Sequence, residues 1–193
     1  MHWQHGRVDQ TGDQPGALAD VLAAVPRGPA LAVVAHPDDE SFGLGAVLAA
    51  VVADGRPVRV LCYTHGEAST LGAAEDLGET RARELRAAGD ALGVERVHLL
   101  PHADGGLELV PGTELDDLVE ADLGDATLVV VFEPSGVTGH PDHRAATAAG
   151  HRVARRRRLP VLEWGVAPAV AEGLNDALGT TCVAFDPPRT TDV

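Results

Sequence analysis

Residues 30–43, "ALAVVAHPDDESFG", decide how this chain reads. Six apolar residues, Ala30 to Ala35, run without alternation into His36, Pro37, Asp38, Asp39 and Glu40. A short, continuous apolar run that breaks this sharply reads as a strand buried on both faces, the pattern of a parallel sheet covered by helices. Proline biases the residue before it toward extended geometry, so the strand finishes at His36. Three consecutive acids at the end of a core strand repel one another. Something in the rest of the chain has to offset them.

Outward from this stretch, strand and helix patterns alternate. "GAVLAAVVADG" (45–55) is an apolar helix closed by glycine, and "PVRVLCYTH" (57–65) is a second strand. "LGETRARELRAAGDALGV" (77–94) is an amphipathic helix, with Leu85, Ala88 and Leu92 recurring at spacings of three and four. "RVHLL" (96–100) is a third strand, "TELDDLVEADLG" (113–124) a short acidic helix, and "ATLVVVFE" (126–133) a fourth strand. "PDHRAATAAGHRVARRRR" (141–158) is a long helix with proline in its first turn. "PVLEW" (160–164) and "TTCVAF" (180–185) complete the strands, with a weaker helix between them.

The fold class that follows is α/β: a Rossmann-like, doubly wound, mainly parallel sheet of core order 3-2-1-4-5, with helices on both faces. Residues 1–17, polar and rich in Gly and Gln, read as a flexible leader, and 18–193 as a single domain. In that order the first and fourth strands are neighbours at the switch point, where ligands bind beyond the carboxyl ends. "AHPDDE" ends the first, and the fourth runs into "FEPSGVTGHPDH". The two most unusual stretches of the chain are therefore expected to meet.

Bulk properties narrow the classes. The 193 residues carry a net charge of −14, from 29 acids against 15 bases, which speaks against a nucleic-acid partner. No apolar stretch reaches the roughly 18 residues of a membrane span, and no signal peptide is legible, so a cytoplasmic location and no membrane partner are expected. Cys62 and Cys182 lack CxxC spacing and read as buried free thiols. The arginine run ending at 158 falls at a helix C-terminus, where cations complement the dipole, and reads as a solvated end. "SFGLGAVLA" contains G-x-G after a strand, but the third small residue of the dinucleotide fingerprint is missing and a phosphate would face three acids.

The two stretches together supply His36, Asp38, Asp39, Glu40, His140, Asp142 and His143. A divalent cation would offset the crowded acids, and two imidazoles, one carboxylate and water make an open catalytic zinc site. Adjacent Asp38 and Asp39 have diverging side chains, so one can bind an ion while the other stays free beside the bound water. His140 and His143, three apart at a helix start, face the same way without having to share a role.

"AHPDDESFGLGAVLA" followed by "GVTGHPDHRAA" resembles the PIG-L/LmbE family of zinc-dependent N-acetylglucosaminyl deacetylases, as do "THGEAS", "LGETRARELRAAGDALGV" and "LPHADGGL" between them. The resemblance runs from about residue 30 to the end. It implies His36, Asp39 and His143 as zinc ligands, with another divalent metal such as Fe2+ as the variant. It implies Asp38 as general base, His140 as oxyanion stabiliser or proton donor to the leaving amine, Asp142 as the group orienting His140, and Arg81 and Asp104 as grips on sugar hydroxyls. The activity implied is removal of an N-acetyl group from an amino sugar of the GlcNAc type or its conjugate. The partner implied is thus that small molecule, with homo-oligomerisation left open. Rival readings are an amidase on a larger sugar- or thiol-conjugate amide, and a non-catalytic binding module on the same scaffold. A 2-His-1-carboxylate iron oxygenase ranks lower, since it has no use for Asp38.

Each residue also has a plainer reading. Asp39 can be a capping acid with two polar loop histidines beside it, Arg81 and Glu84 solvated helix charges, and Asp104 a turn aspartate. Glu40 and Glu67 read as structural hydrogen-bonders, and His65, His98, His102 and His151 as non-ligands. Members of the resembled family continue past the last strand into a further helix. This chain ends at "FDPPRTTDV", so an open pocket, one completed by a partner, or reduced activity is expected.

Overall fold

The structure, a computed structural model, describes residues 15–69 and 76–185. Five parallel strands form one sheet: β1 (Ala30–Val34), β2 (Val58–Thr64), β3 (Arg96–His102), β4 (Leu128–Phe132) and β5 (Val161–Trp164). Their order is β3-β2-β1-β4-β5, as the strand–helix alternation predicts. β1 and β4 are hydrogen-bonded neighbours, with Ala30 opposite Leu128 and Ala32 opposite Val130. The strands that end in the two acidic-histidine stretches therefore lie side by side.

All five residues of β1 and of β4 are buried, because helices cover both faces. Alternate side chains of β1 feed two separate cores. Ala30, Ala32 and Val34 face helices α1 (Pro15–Ala24), α2 (Gly45–Ala53), α3 (Leu77–Leu92) and α7 (Pro168–Leu178), through Leu22, Val47, Leu48, Val51, Leu85 and Ala171. Leu31, Val33 and Ala35 face α4 (Gly112–Leu123) and α6 (Pro141–Arg157), through Leu115, Val119, Ala146, Ala149 and Val153. Small side chains bring α6 close to the sheet. A Cβ on Gly150 would stand 2.7 Å from Val131 Cγ1. That approach sets the depth at which His143, two turns earlier on α6, meets the end of β1.

Four expectations change. Helix α1 starts at Pro15, three residues before the expected boundary, and the remainder of the expected leader lies outside the described residues. Residues 180–185 do not form a strand; Ala184 makes only an isolated bridge to Val166. Asn175 accounts for this, because its side chain accepts from Cys182 N at 2.7 Å and donates to Cys182 O at 3.0 Å, taking the groups a strand neighbour would need. Cys62 is buried but Cys182 is only half-buried. The arginine run is not simply solvated. Arg152 and Arg156 reach Asp116 at 2.7 and 2.6 Å, and Arg156 and Arg157 reach Glu120, so α6 is clamped to α4. Among the described residues, no helix is long and apolar enough to cross a membrane.

Candidate metal centre

At the end of β1 the acids fold back on the chain that carries them. Asp39 Oδ2 accepts from Ala35 N and His36 N, both at 3.0 Å, and Glu40 Oε2 accepts from Asp38 N at 2.9 Å. Both carboxylates are buried. After His36 the chain makes a five-residue π turn, Asp39–Gly43, before α2 begins at Gly45. Asp38 is pushed to φ 115, a left-handed conformation uncommon outside glycine, and strain of this kind concentrates at functional sites. Its side chain remains half exposed, with Arg81 Nη2 at 2.7 Å.

The second stretch arrives from β4 through a loop organised by Glu133, which the sequence reading did not single out. Its buried carboxylate accepts from Ser135 N and Val137 N, both at 2.7 Å, and from Ser135 Oγ. This holds Gly136 and Val137 at φ 72 and 66, within a four-residue turn α5 (Gly136–Gly139). A Cβ on Gly136 would stand 2.6 Å from His143 Cβ, so the close packing of loop on helix requires glycine there. The only local signal for Glu133 is its place at the end of a buried strand. His140 then caps α6, its Nδ1 accepting from Asp142 N at 3.2 Å.

These elements bring His36, Asp39 and His143 together. His36 Nδ1 stands 3.1 Å from His143 Nε2, which in turn stands 3.2 Å from Asp39 Oδ1. The partners on the far side of each ring set the tautomers. His143 Nδ1 faces Gly136 O at 3.0 Å, and a carbonyl only accepts, so Nδ1 carries the hydrogen. His36 Nε2 faces Asp142 Oδ2 at 3.2 Å and donates to it. In the neutral rings the inner nitrogens therefore point two lone pairs at each other, beside a carboxylate oxygen. That arrangement is repulsive unless a proton or a cation lies between them.

A metal ion fits this donor set. Ligands about 2.1 Å from a tetrahedral ion stand roughly 3.4 Å apart, close to the spacings observed here. The outer nitrogens are already bonded to a carbonyl and a carboxylate, as metal-bound imidazoles require. His140 also lies near, since ring nitrogens of His36, His140 and His143 fall within 4.8 Å of one another. Its Nδ1 lone pair is taken by Asp142 N, which leaves Nε2 protonated and suited to donating rather than to ligating.

Asp142 differs from its expected place. Its fully buried carboxylate does not orient His140; it accepts from Gly105 N at 2.7 Å and Leu107 N at 3.0 Å and supports His36. Asp104 also turns toward His36, with Oδ1 3.0 Å from Nε2, and its Oδ2 accepts from Ala68 N. Arg81 is tied to Asp38 and to the carbonyls of Gly66, at 2.9 Å, and Pro37. The structure thus gathers all eight candidate residues at one sheet edge, but turns Arg81 and Asp104 inward. Glu40 and Glu67 do act as structural hydrogen-bonders, Glu67 Oε1 accepting from Asp104 N at 2.9 Å.

Electrostatics divide the groups. Burial raises the Asp38 carboxyl above its ordinary range, and neighbouring Asp39 adds to this; Arg81, His36 and His143 oppose it. Burial works against the Asp39 anion too, but the bond and charge of His143, with the nearby His36, hold that carboxyl below its ordinary range. Burial and the charges of His36 and His143 lower His140. Burial also opposes a charge on His143, yet Asp39 raises it overall, as expected of a ring beside an anion.

Residues 31–154 match the family model described as PIG-L, GlcNAc-PI de-N-acetylase. A 1D-myo-inositol 2-acetamido-2-deoxy-alpha-D-glucopyranoside deacetylase of Mycolicibacterium vanbaalenii is 34% identical, the match covering 73% of this chain and 60% of that protein. One of the same description from Geodermatophilus obscurus is 37% identical, with 65% and 51% covered. The chain thus spans about 60% or less of the length of these relatives. Among solved structures, the A40926 pseudoaglycone deacetylase Dbv21 is 27% identical at TM-score 0.56, covering 76% of this chain and 66% of that one. A conserved protein of Thermus thermophilus, 24% identical at TM-score 0.56 with 76% and 73% covered, shares the fold.

Proposed function

The chain belongs to the PIG-L family of GlcNAc-PI de-N-acetylases, and from that premise we propose that it is a metal-dependent hydrolase removing an N-acetyl group from an amino sugar of the GlcNAc type or its conjugate. One observation carries the reading. The inner nitrogens of His36 and His143 oppose their lone pairs at 3.1 Å beside Asp39 Oδ1, while their outer nitrogens are already satisfied. We take these three residues as the ligands and Zn2+ as the ion, with Fe2+ as the variant.

A divalent ion held there supplies Lewis acidity, polarising the amide carbonyl and acidifying a water molecule. The surrounding residues do the rest. Asp38, half exposed and raised by burial, accepts a proton from the attacking water, and a carboxyl so tuned takes it up more readily than an ordinary aspartate. His140 keeps its hydrogen on Nε2 and offers it to the carbonyl oxygen as negative charge develops there. When the amide breaks, the proton held by Asp38 passes to the departing amine. Asp39 stays ionised, because His143 and two backbone N–H groups stabilise its charge.

The substrate class rests on the family and on relatives that act on an N-acetylated glucosaminide of inositol. The test combines metal analysis with amine release over a panel of N-acetylglucosaminides that includes 1D-myo-inositol 2-acetamido-2-deoxy-alpha-D-glucopyranoside. Amine release with stoichiometric metal is expected. Asp38→Asn should retain the metal and lose about 10²–10⁴-fold in kcat. Near-normal turnover in metal-loaded Asp38→Asn would remove Asp38 from the base role, and failure to bind any divalent ion would sink the reading.

A further inference from the structure

We propose that Glu133 is a positioning residue for the metal ligand His143, acting on the imidazole through the single peptide group that joins Gly136 to Val137. The proposal rests on the metal-centre reading above and extends it to a residue outside both acidic-histidine stretches.

Glu133 and His143 hold opposite sides of one peptide. Glu133 Oε1 accepts from Val137 N at 2.7 Å, and His143 Nδ1 donates to Gly136 O at 3.0 Å. That N–H and that C=O belong to the same trans peptide, so they lie in one plane and point opposite ways. The carboxylate therefore fixes the direction in which the carbonyl meets the ring. It also polarises the group. A charge-assisted bond to the N–H makes the carbonyl oxygen more negative and a stronger acceptor, as in other hydrogen-bonded chains. A stronger acceptor at Nδ1–H in turn raises the basicity of Nε2, the nitrogen that faces the metal position. Asp142 supports His36 directly, and Glu133 supports His143 across one peptide.

The surroundings are built to keep this arrangement. Val137 sits at φ 66 and ψ −53, a strained γ-turn geometry that a β-branched residue rarely adopts. The Glu133 side chain is buried, and both of its oxygens are in use, because Oε2 takes Ser135 N and Oε1 also takes Ser135 Oγ. An amide in its place could accept at one oxygen only, and its NH2 would face an N–H. The glycine at 165 leaves room for the side chain, since a Cβ there would stand 2.7 Å from Glu133 Cγ. On the other side, Gly136 lets the loop lie directly against His143.

The experiment reads the Zn2+ dissociation constant of the full chain by chelator competition, with the Tm of the metal-free protein beside it. Glu133→Gln should weaken Zn2+ binding about 10-fold, the low end for outer groups that support a liganding histidine. In NMR spectra of the zinc-loaded protein, the His143 Nδ1–H proton should be slow to exchange in wild type and lost to exchange in Glu133→Gln. Ser135→Ala removes one bond of the loop and keeps the contact to Val137 N, so its Zn2+ affinity should stay within about twofold of wild type. A wild-type measurement carries the proposal if Glu133→Gln does not fold. Zinc on Nε2 should strengthen the whole chain of bonds, moving the Val137 amide proton downfield and slowing its exchange more than that of Ser135, whose N–H belongs to the neighbouring peptide.

A folded Glu133→Gln protein with a lowered Tm, unchanged Zn2+ affinity and a protected His143 Nδ1–H would make Glu133 a loop-building residue only and overturn the proposal. A Val137 amide that zinc leaves unmoved in wild type would do the same. Wild-type protein that binds no ion brings down the metal-centre reading itself, whereas wild type and Glu133→Gln that bind Zn2+ equally well bring down this inference alone.

Discussion

Arg81 Nη2 stands 2.7 Å from Asp38 Oδ2, and the same guanidinium reaches the carbonyls of Pro37 and Gly66. One side chain on α3 thereby holds the residue read as the general base, the residue before it, and the loop after β2. The planar fork of arginine suits three diverging acceptors, which a lysine could not satisfy at once. Gly66, at φ 64, leaves the space this approach needs; a Cβ there would overlap Arg81 Nη1.

The pH dependence follows from that contact. A base works only when ionised, so activity rises with pH through the Asp38 pKa. Burial and Asp39 raise that pKa, and Arg81 lowers it. Arg81→Met removes the lowering influence, so the acid limb of the kcat/KM profile should move to higher pH, with activity on that limb reduced about tenfold per unit moved. Arg81→Lys should move it less, since the charge remains. A pH–rate profile of metal-saturated protein checks this, and an unmoved acid limb in Arg81→Met would show that the guanidinium does not tune the base.

The closeness of α6 to the sheet predicts a contrast between two helical glycines. Gly→Ala in an exposed helix interior gains about 1 kcal/mol in propensity. At Gly150 the new Cβ meets Val131 Cγ1 at 2.7 Å, and overpacking of a tight core costs about 1–3 kcal/mol. Gly150→Ala should therefore lower Tm. Gly173 on α7 has nothing within 4 Å of its Cβ position, so Gly173→Ala should raise Tm or leave it unchanged. Thermal melts of the pair decide the matter, and a Gly150→Ala protein as stable as Gly173→Ala would contradict the close approach.

The clamp between α4 and α6 should fail in acid. Burial disfavours the Asp116 anion, but Arg152 and Arg156 outweigh it and hold the carboxyl below its ordinary 3.8. A carboxylate lowered in the folded state adds stability that is present above the unfolded pKa and lost as pH falls through the folded one. Tm of the wild type should therefore drop more steeply below about pH 4 than Tm of Asp116→Asn, in which the clamp is already gone. Parallel curves for the two proteins would mean that the ion pairs contribute nothing measurable.

Much of the site was legible in the chain because its two halves are local. "HPDDE" and "GHPDH" each follow a buried apolar run, and proline with histidine marks each strand-to-helix passage. The alternation of strands and helices then placed those runs side by side, and the sheet order agrees. The parts that escaped are those whose partners lie far along the chain. Glu133 looks like the last residue of a strand until its carboxylate is seen gathering Ser135 and Val137. The arginines near 156 look like a solvated helix end until α4 brings Asp116 and Glu120 against them. The strand expected at 180–185 has a suitable apolar pattern, but Asn175 takes the backbone groups of Cys182, and Val183 N turns to Val137 O.

The sequence by itself determined the parallel sheet, the switch point and the residue types gathered there, because hydrophobic period and proline geometry act over a few residues at a time. Only the tertiary structure decided what each polar group faces. Asp142 lies two residues from His140 yet spends its carboxylate on Gly105, Leu107 and His36, and Asp104 and Arg81 turn toward His36 and Asp38. A buried charge takes whichever partner the fold brings within about 3 Å, and separation along the chain carries no information about that distance.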